Sequence, residues 1–120
     1  MQKVNPLEKF AQFNEFWTPK IVGEVNNTHI KLAKFQGEFV WHQHEHEDEL
    51  FFVVQGRLRM RLHSGDVVLE PGEFLIVPHG VEHCPVAESE EVWVILVEPG
   101  STLNTGNVQN DRTVSQLERM

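Results

Sequence analysis

Residues 41–62 read WHQHEHEDELFFVVQGRLRMRL, and both the architecture and the chemistry of the chain start from this stretch. At its end, Leu58, Met60 and Leu62 alternate with Arg57, Arg59 and Arg61. A period of two sends the apolar side chains to one face and the arginines to the other, so the segment is a strand with one wet side. Just upstream, Leu50-Phe51-Phe52-Val53-Val54 is apolar without alternation, as is Val92-Trp93-Val94-Ile95-Leu96-Val97. A strand of that kind is covered on both faces. Ile30 and Leu32 alternate with Lys31 and Ala33, and Asn26-Asn27, Ser64-Gly65-Asp66 and Pro71-Gly72-Glu73 are turn signals between short runs. From about Lys20 to Glu98 the chain therefore reads as strand and turn, an all-β sandwich or small barrel.

The flanks differ. Asn5 caps a helix, Pro6 suits its first position, and Leu7, Phe10, Asn14 and Trp17 share one stripe with Phe13 beside it. Pro19 stops that segment, which predicts a short N-terminal helix over about residues 6–17. After Pro99 the chain turns polar through Ser101, Thr102, Asn104, Thr105, Gly106 and Asn107, an ordered flap or a loose end, with room for a last short helix at Val114–Leu117. The 120 residues suit one domain: helix, a barrel core over about residues 20–98, and a polar tail over 99–120. In a single-layer barrel the outer faces of the two unbroken apolar strands need a cover. The helix supplies some of it, and a second copy of the chain is the natural supplier of the rest, so a homodimer is expected.

Hydrophobic residues make up 40% and charged residues 23%, which suits a packed core. The net charge of −8 argues against nucleic acid as a partner and against docking on an anionic membrane. Cys84 is the one cysteine, so no intramolecular disulfide exists, and the free thiol fits a reducing compartment. With no apolar leader in Met1–Phe10 and no run long enough to span a bilayer, a cytoplasmic protein is the expectation.

The chemistry lies in His42-Gln43-His44 and in the residues after it. Residues two apart on a strand share a side, so His42 and His44 present two imidazoles together. A turn through Glu45–Asp48 would fold the next strand back beside them, where its first residue, Glu49, could bring a carboxylate to the pair. An unpaired charge opening a fully apolar strand would be costly, which argues that Glu49 has a partner. Pro78-His79-Gly80 forms a turn, and His83 follows at the start of another strand as a third imidazole. Imidazole suits Zn, Fe, Cu and Ni, and carboxylate adds negative charge and hard-oxygen character. His46 sits in an acidic, solvated turn. Cys84 points away from the side of its neighbour His83 and reads as a small core residue. Trp41 reads as packing.

These residues make the chain resemble the cupin superfamily, in the form of a small single-domain metal-binding barrel. The first cupin motif runs His-x-His, three or four residues, Glu, six residues, Gly; here that is His42, His44, Glu49 and Gly56, with Gly37 one position nearer than usual. The second runs Gly, five residues, Pro-x-Gly, two residues, His, three residues, Asn; Gly72, Pro78, Gly80 and His83 match, and Ala87 stands where Asn is common. The resemblance implies a double-stranded β-helix, the jelly-roll cupin barrel, often dimeric, and it assigns His42, His44, Glu49 and His83 as ligands of one divalent transition metal inside it.

Protein ligands in that number leave one or two open positions on a five- or six-coordinate ion. A metalloenzyme acting on a small organic molecule is the expectation, with dioxygenase-like chemistry ahead of a sugar (phosphate) isomerase or epimerase and of a non-catalytic metal or small-ligand module. Phe51, Val53, Leu58, Met60 and Leu62 are candidate apolar lining. Arg57, Arg59 and Arg61 point outward, and no phosphate cradle is apparent. Glu49 would shuttle a proton if it detached, and His79, Gln55 and Asn104 are the remaining polar candidates near the vacancy.

Overall fold

The computed structural model describes all 120 residues. One short helix, α1 (Pro6–Phe10), precedes eight strands: β1 (Lys20–Val25), β2 (Thr28–Phe35), β3 (Glu49–Gln55), β4 (Leu58–Leu62), β5 (Val67–Leu69), β6 (Phe74–Val77), β7 (His83–Ala87) and β8 (Val92–Pro99). They form a five-stranded sheet in the order β1-β2-β8-β3-β6 and a three-stranded sheet in the order β5-β4-β7. All pairings are antiparallel. The result is the jelly roll that the resemblance to the cupins implies.

The core sits between the sheets. Ala33, Phe35, Phe51, Val53, Val77, Val92, Val94 and Leu96 face inward from the large sheet and meet Leu58, Met60 and Leu69 from the small one. The alternation in β4 falls as read: Leu58 and Met60 are buried, while Arg57, Arg59 and Arg61 lie outside and pair with Glu70, Glu88, Asp66 and Glu38. In β2 the inward phase is the opposite of the apolar reading. Lys31, Ala33 and Phe35 share the barrel-facing parity, and Leu32 points out to a second cluster with Phe10 and Phe13. The outer surface of β2 needs Leu32 more than the barrel does, because the N-terminal segment packs there.

That segment also corrects the predicted helix. Asn5 caps it as expected, its side chain accepting from the Leu7 and Glu8 N–H groups, but the helix ends at Phe10 instead of continuing to Trp17. Phe10 and Phe13 stay on the outer face, where Phe10 stacks on Trp93 and the Lys34 ammonium donates to the Phe13 carbonyl. Trp17 belongs elsewhere. Its backbone N–H donates to Lys34 O and its indole N–H to Gln36 O, and its ring stacks on Phe35 and Phe39 at the barrel mouth. A continuous helix would hold Trp17 on the same stripe as Phe10. The chain breaks out of helix, and Trp17 adopts φ 59°, a rare conformation for a bulky side chain.

The tail lies against the barrel as a flap, without a helix at Val114–Leu117. It returns along the barrel, and near its end Ile21 N–H donates to Glu118 O and Met120 N–H to Ile21 O. No helix is long and apolar enough to cross a membrane.

Candidate metal centre

The structure brings His42, His44, Glu49 and His83 to one point inside the barrel. The route differs from the one expected of the sequence. β3 does not fold back beside the His42–His44 segment; it pairs with β6 and β8 in the large sheet. His42 instead bridges His83, the first residue of β7 in the small sheet, each backbone N–H donating to the other's carbonyl at 3.0 and 2.9 Å. The imidazoles come from the small-sheet side and the carboxylate crosses from the large one. Two facing sheets close the site where a hairpin was expected to do so.

One nitrogen or oxygen from each of the four residues lies within 4.8 Å of all the others. Glu49 Oε1 sits 3.2 Å from His44 Nε2 and 3.3 Å from His83 Nε2. His42 and His83 are locked in the tautomer that a metal needs. Each Nδ1–H donates to the carbonyl two residues back, Val40 or Val81, at 2.9 Å, leaving the Nε2 lone pair facing inward. The buried atoms His44 Nδ1, His44 Nε2, His83 Nε2 and Glu49 Oε1 have no hydrogen-bond partner. Buried polar atoms are rarely left unpaired, so a convergent group of such atoms fits a cation at their centre.

Charge is arranged accordingly. Burial, helped by the nearby His83, lowers His42 from 6.5 to about 4, so its imidazole is neutral near pH 7. Burial opposes the Glu49 anion, but the adjacent Glu98, His44 and His83 side chains outweigh it and hold its carboxyl well below the usual range. The cost passes to Glu98, which burial and the Glu49 charge push well above that range. Three imidazoles and one carboxylate would be a ligand set for a divalent ion.

Beside the four lies a narrow cavity of about 30 Å³, room for roughly two waters. Trp17, Phe35, Phe39, Phe51 and Leu96 wall it, and Glu98 and Asn104 contribute polar atoms. Of the predicted apolar lining only Phe51 reaches it; Val53, Leu58, Met60 and Leu62 belong to the core proper. Asn104 does line it, but its amide is engaged in holding the tail through Arg112 O and the Val114 N–H. Gln55 is not among the residues there, and His79 is exposed and bonded to Asp48. His46 is exposed in its turn. Trp41 packs against His63, and Cys84 is buried with its thiol pushed up to about 11 by burial and by Glu38.

Sequence reasoning missed Glu98, Lys31 and Trp17. Glu98 follows Val92, Val94 and Leu96 at a period of two, and Lys31 precedes Ala33 and Phe35 in the same way. That phase was the available signal. The tail also reaches the site: Asn107 N–H donates to Gln43 O, and Gln43 N–H to the Asn107 side chain, so the flap grips the residue between two of the histidines.

Residues 29–98 match the family model Cupin_2, described as "Cupin domain", more than half of the chain. The chain is 36% identical over 77 residues to the uncharacterized protein YdbB of Bacillus subtilis (strain 168), 63% of this chain and 62% of that one, so the match spans about three fifths of that relative's length. Among solved structures, a cupin-2 domain containing protein from Shewanella frigidimarina NCIMB 400 is 40% identical with a TM-score of 0.78, covering 80% of this chain and 93% of that one. KdgF from Halomonas sp. is 32% identical with a TM-score of 0.58, over 68% and 78% respectively. Two facing antiparallel sheets, a buried cluster of three histidines and a glutamate at motif spacing, and the matched family model together place this chain in the cupin domain family.

Proposed function

We propose that His42, His44, Glu49 and His83 hold one divalent transition metal, drawn from Fe, Mn, Ni, Zn or Cu, and that the chain is a metalloenzyme acting on a small organic molecule. Dioxygenase-like chemistry stands ahead of isomerase or epimerase chemistry. The observation that carries the reading is the convergence of four buried ligand atoms within 4.8 Å, most of them without a hydrogen-bond partner. Bound there, the metal would supply Lewis acidity and, if redox-active, a meeting point for O2 and an oxygen-donor substrate.

The chain's own residues supply the rest. Backbone carbonyls of Val40 and Val81 orient two imidazoles. Trp17, Phe35 and Phe39 exclude water and favour an apolar or flat substrate. No Lys or Arg lines the cavity, which disfavours a phosphorylated sugar. Glu49 is the residue assigned to proton handling, and since it touches Glu98, a proton taken up by one has a neighbour to receive it. The narrowness of the cavity favours a second reading, a non-catalytic metal or small-ligand module.

Metal content tests the first step. His44→Ala and His83→Ala should each lower bound metal at least tenfold while the circular dichroism stays β-rich, and His46→Ala should leave it unchanged. Equal content in all three overturns the ligand assignment. O2 uptake by Fe-, Ni- or Mn-loaded protein with a diketone or catechol panel then separates enzyme from binding module. No turnover with any of them, alongside ligand-dependent rises in Tm, favours the module.

We also propose a homodimer in a cytoplasmic setting. The outer faces of β3 and β8 are half-covered by Phe10, Phe13 and Met120, so the apolar side chains left for a partner lie chiefly on edge strand β6, at Phe74 and Ile76, both more than half exposed. The reducing compartment is supported by the unpaired, buried Cys84.

A further inference from the structure

We propose a second ligand site, outside the metal centre: the cavity beneath the C-terminal flap takes a small hydroxylated organic cation, an amino alcohol or amino sugar in its ammonium form. This cavity, of about 250 Å³, is lined by His44, whereas the narrow one is lined by His42 and Glu49. Glu45 and Glu47 join His44 from the histidine segment, and Ser101, Leu103 and Asn107 close over them from the flap. The volume is close to the ~300 Å³ at which small-molecule sites begin, enough for one ring-sized molecule.

Two independent observations define the occupant. The first is His44 Nδ1. His42 and His83 each set Nδ1 against a backbone carbonyl, but His44 Nδ1 is buried without a partner, on a side chain 2% exposed. His44 Nε2 faces Glu49 Oε1 at 3.2 Å, and the same residue lines the flap cavity, which leaves Nδ1 as the nitrogen on that side. A buried ring nitrogen left empty is costly. A hydroxyl suits it in either tautomer, because a hydroxyl both donates and accepts. The second observation is charge. Glu45 and Glu47 bring two carboxylates, and no Lys or Arg lines the cavity. Ser101 Oγ donates to Glu47 Oε2 at 2.9 Å, which ties that carboxylate to the flap. Carboxylates unbalanced in a concavity attract a cation, and an ammonium adds three donors. A bare metal ion would meet the carboxylates and leave the volume unfilled. A neutral polyol would meet Nδ1 and leave the charge unbalanced. One molecule carrying both groups meets both demands.

Calorimetric titration of the protein as purified compares glucosamine in its ammonium form with glucose, which lacks the charge, and with cyclohexylamine, which lacks the hydroxyls. Glucosamine should bind about tenfold or more tighter than either, the scale of two partly exposed ion pairs or of one hydrogen bond. Glu45→Gln combined with Glu47→Gln removes both charges and keeps the size. It should bring glucosamine and glucose towards parity with metal content unchanged. Leu103→Trp, which fills the cavity from the flap, should weaken glucosamine at least tenfold, also with metal content unchanged, and serves if the double variant fails to fold. No binding of glucosamine to wild type overturns the proposal, as does equal affinity for glucosamine and either comparison compound. So does a preference that survives the double variant, or wild-type affinity in Leu103→Trp, since either would put the molecule elsewhere. Loss of metal together with the preference overturns it too, because the carboxylates would then act through the four-residue cluster.

Discussion

His42 shows how a single side chain is prepared for its place. Its ring is 2% exposed, and its Nδ1–H is committed to Val40 O. Burial lowers its pKa from 6.5 to about 4. Between those values the unfolded chain binds a proton that the folded chain refuses, so the contribution of His42 to stability is present above pH 6.5 and is lost as pH falls towards 4. The full loss is about 3 kcal/mol by the usual conversion. Chelator-treated wild type should therefore lose Tm more steeply between pH 6.5 and 4 than His42→Gln does, by thermal unfolding followed across that range. Identical slopes would show that His42 does not titrate differently in the two states. At this scale the sequence was legible where a residue sat in a motif, as His42, His44, Glu49 and His83 did. It was illegible for Lys31, within β2, and Glu98, near the end of β8, because neither sat in a motif and only the packed barrel shows that both are enclosed.

At the scale of elements, the flap and the histidine segment behave as one unit. Gly106 has φ +56°, and a Cβ there would collide with the Gln43 carbonyl and crowd His42. Gly80 also has a positive φ, +79°, but a Cβ there would meet nothing within 4 Å. Gly80→Ala should cost only about 1 kcal/mol of backbone strain. Gly106→Ala should cost more and should also weaken metal retention, because the flap must lift off Gln43, the residue between His42 and His44. Chemical denaturation and competition with a chelator measure the two effects, and equal outcomes for both variants would show that the flap does not support the site. The short α1 belongs here too. Apolar periodicity alone extended it to Trp17, since periodicity records which residues are apolar and not which surface each one covers. The barrel mouth recruits Trp17 for its stack on Phe35 and Phe39, and Arg112 from the tail lies over both Trp17 and Phe39.

For the whole molecule, the exposed apolar edge is the feature to test. Phe74 and Ile76 lie on β6, the outermost strand of the large sheet, where unpaired backbone groups and apolar side chains invite a second copy. Wild type should run at twice the chain mass by light scattering at micromolar concentration, and Phe74→Glu with Ile76→Glu should run as a monomer that keeps its metal. A wild-type monomer would remove the dimer from the account.

The sequence by itself determined an all-β sandwich or small barrel, and its resemblance to the cupins implied the jelly roll and the four converging residues. Alternation, turn residues and motif spacing are local quantities, and a strand's inward face repeats every second residue wherever the strand is placed. Tertiary structure alone decided that the imidazoles and the carboxylate come from opposite sheets. It also decided that Trp17 lines the cavity and that Lys31 and Glu98 meet inside the barrel. Each of these depends on which distant segments pack together, and the free energy of packing is shared between segments that no local pattern relates.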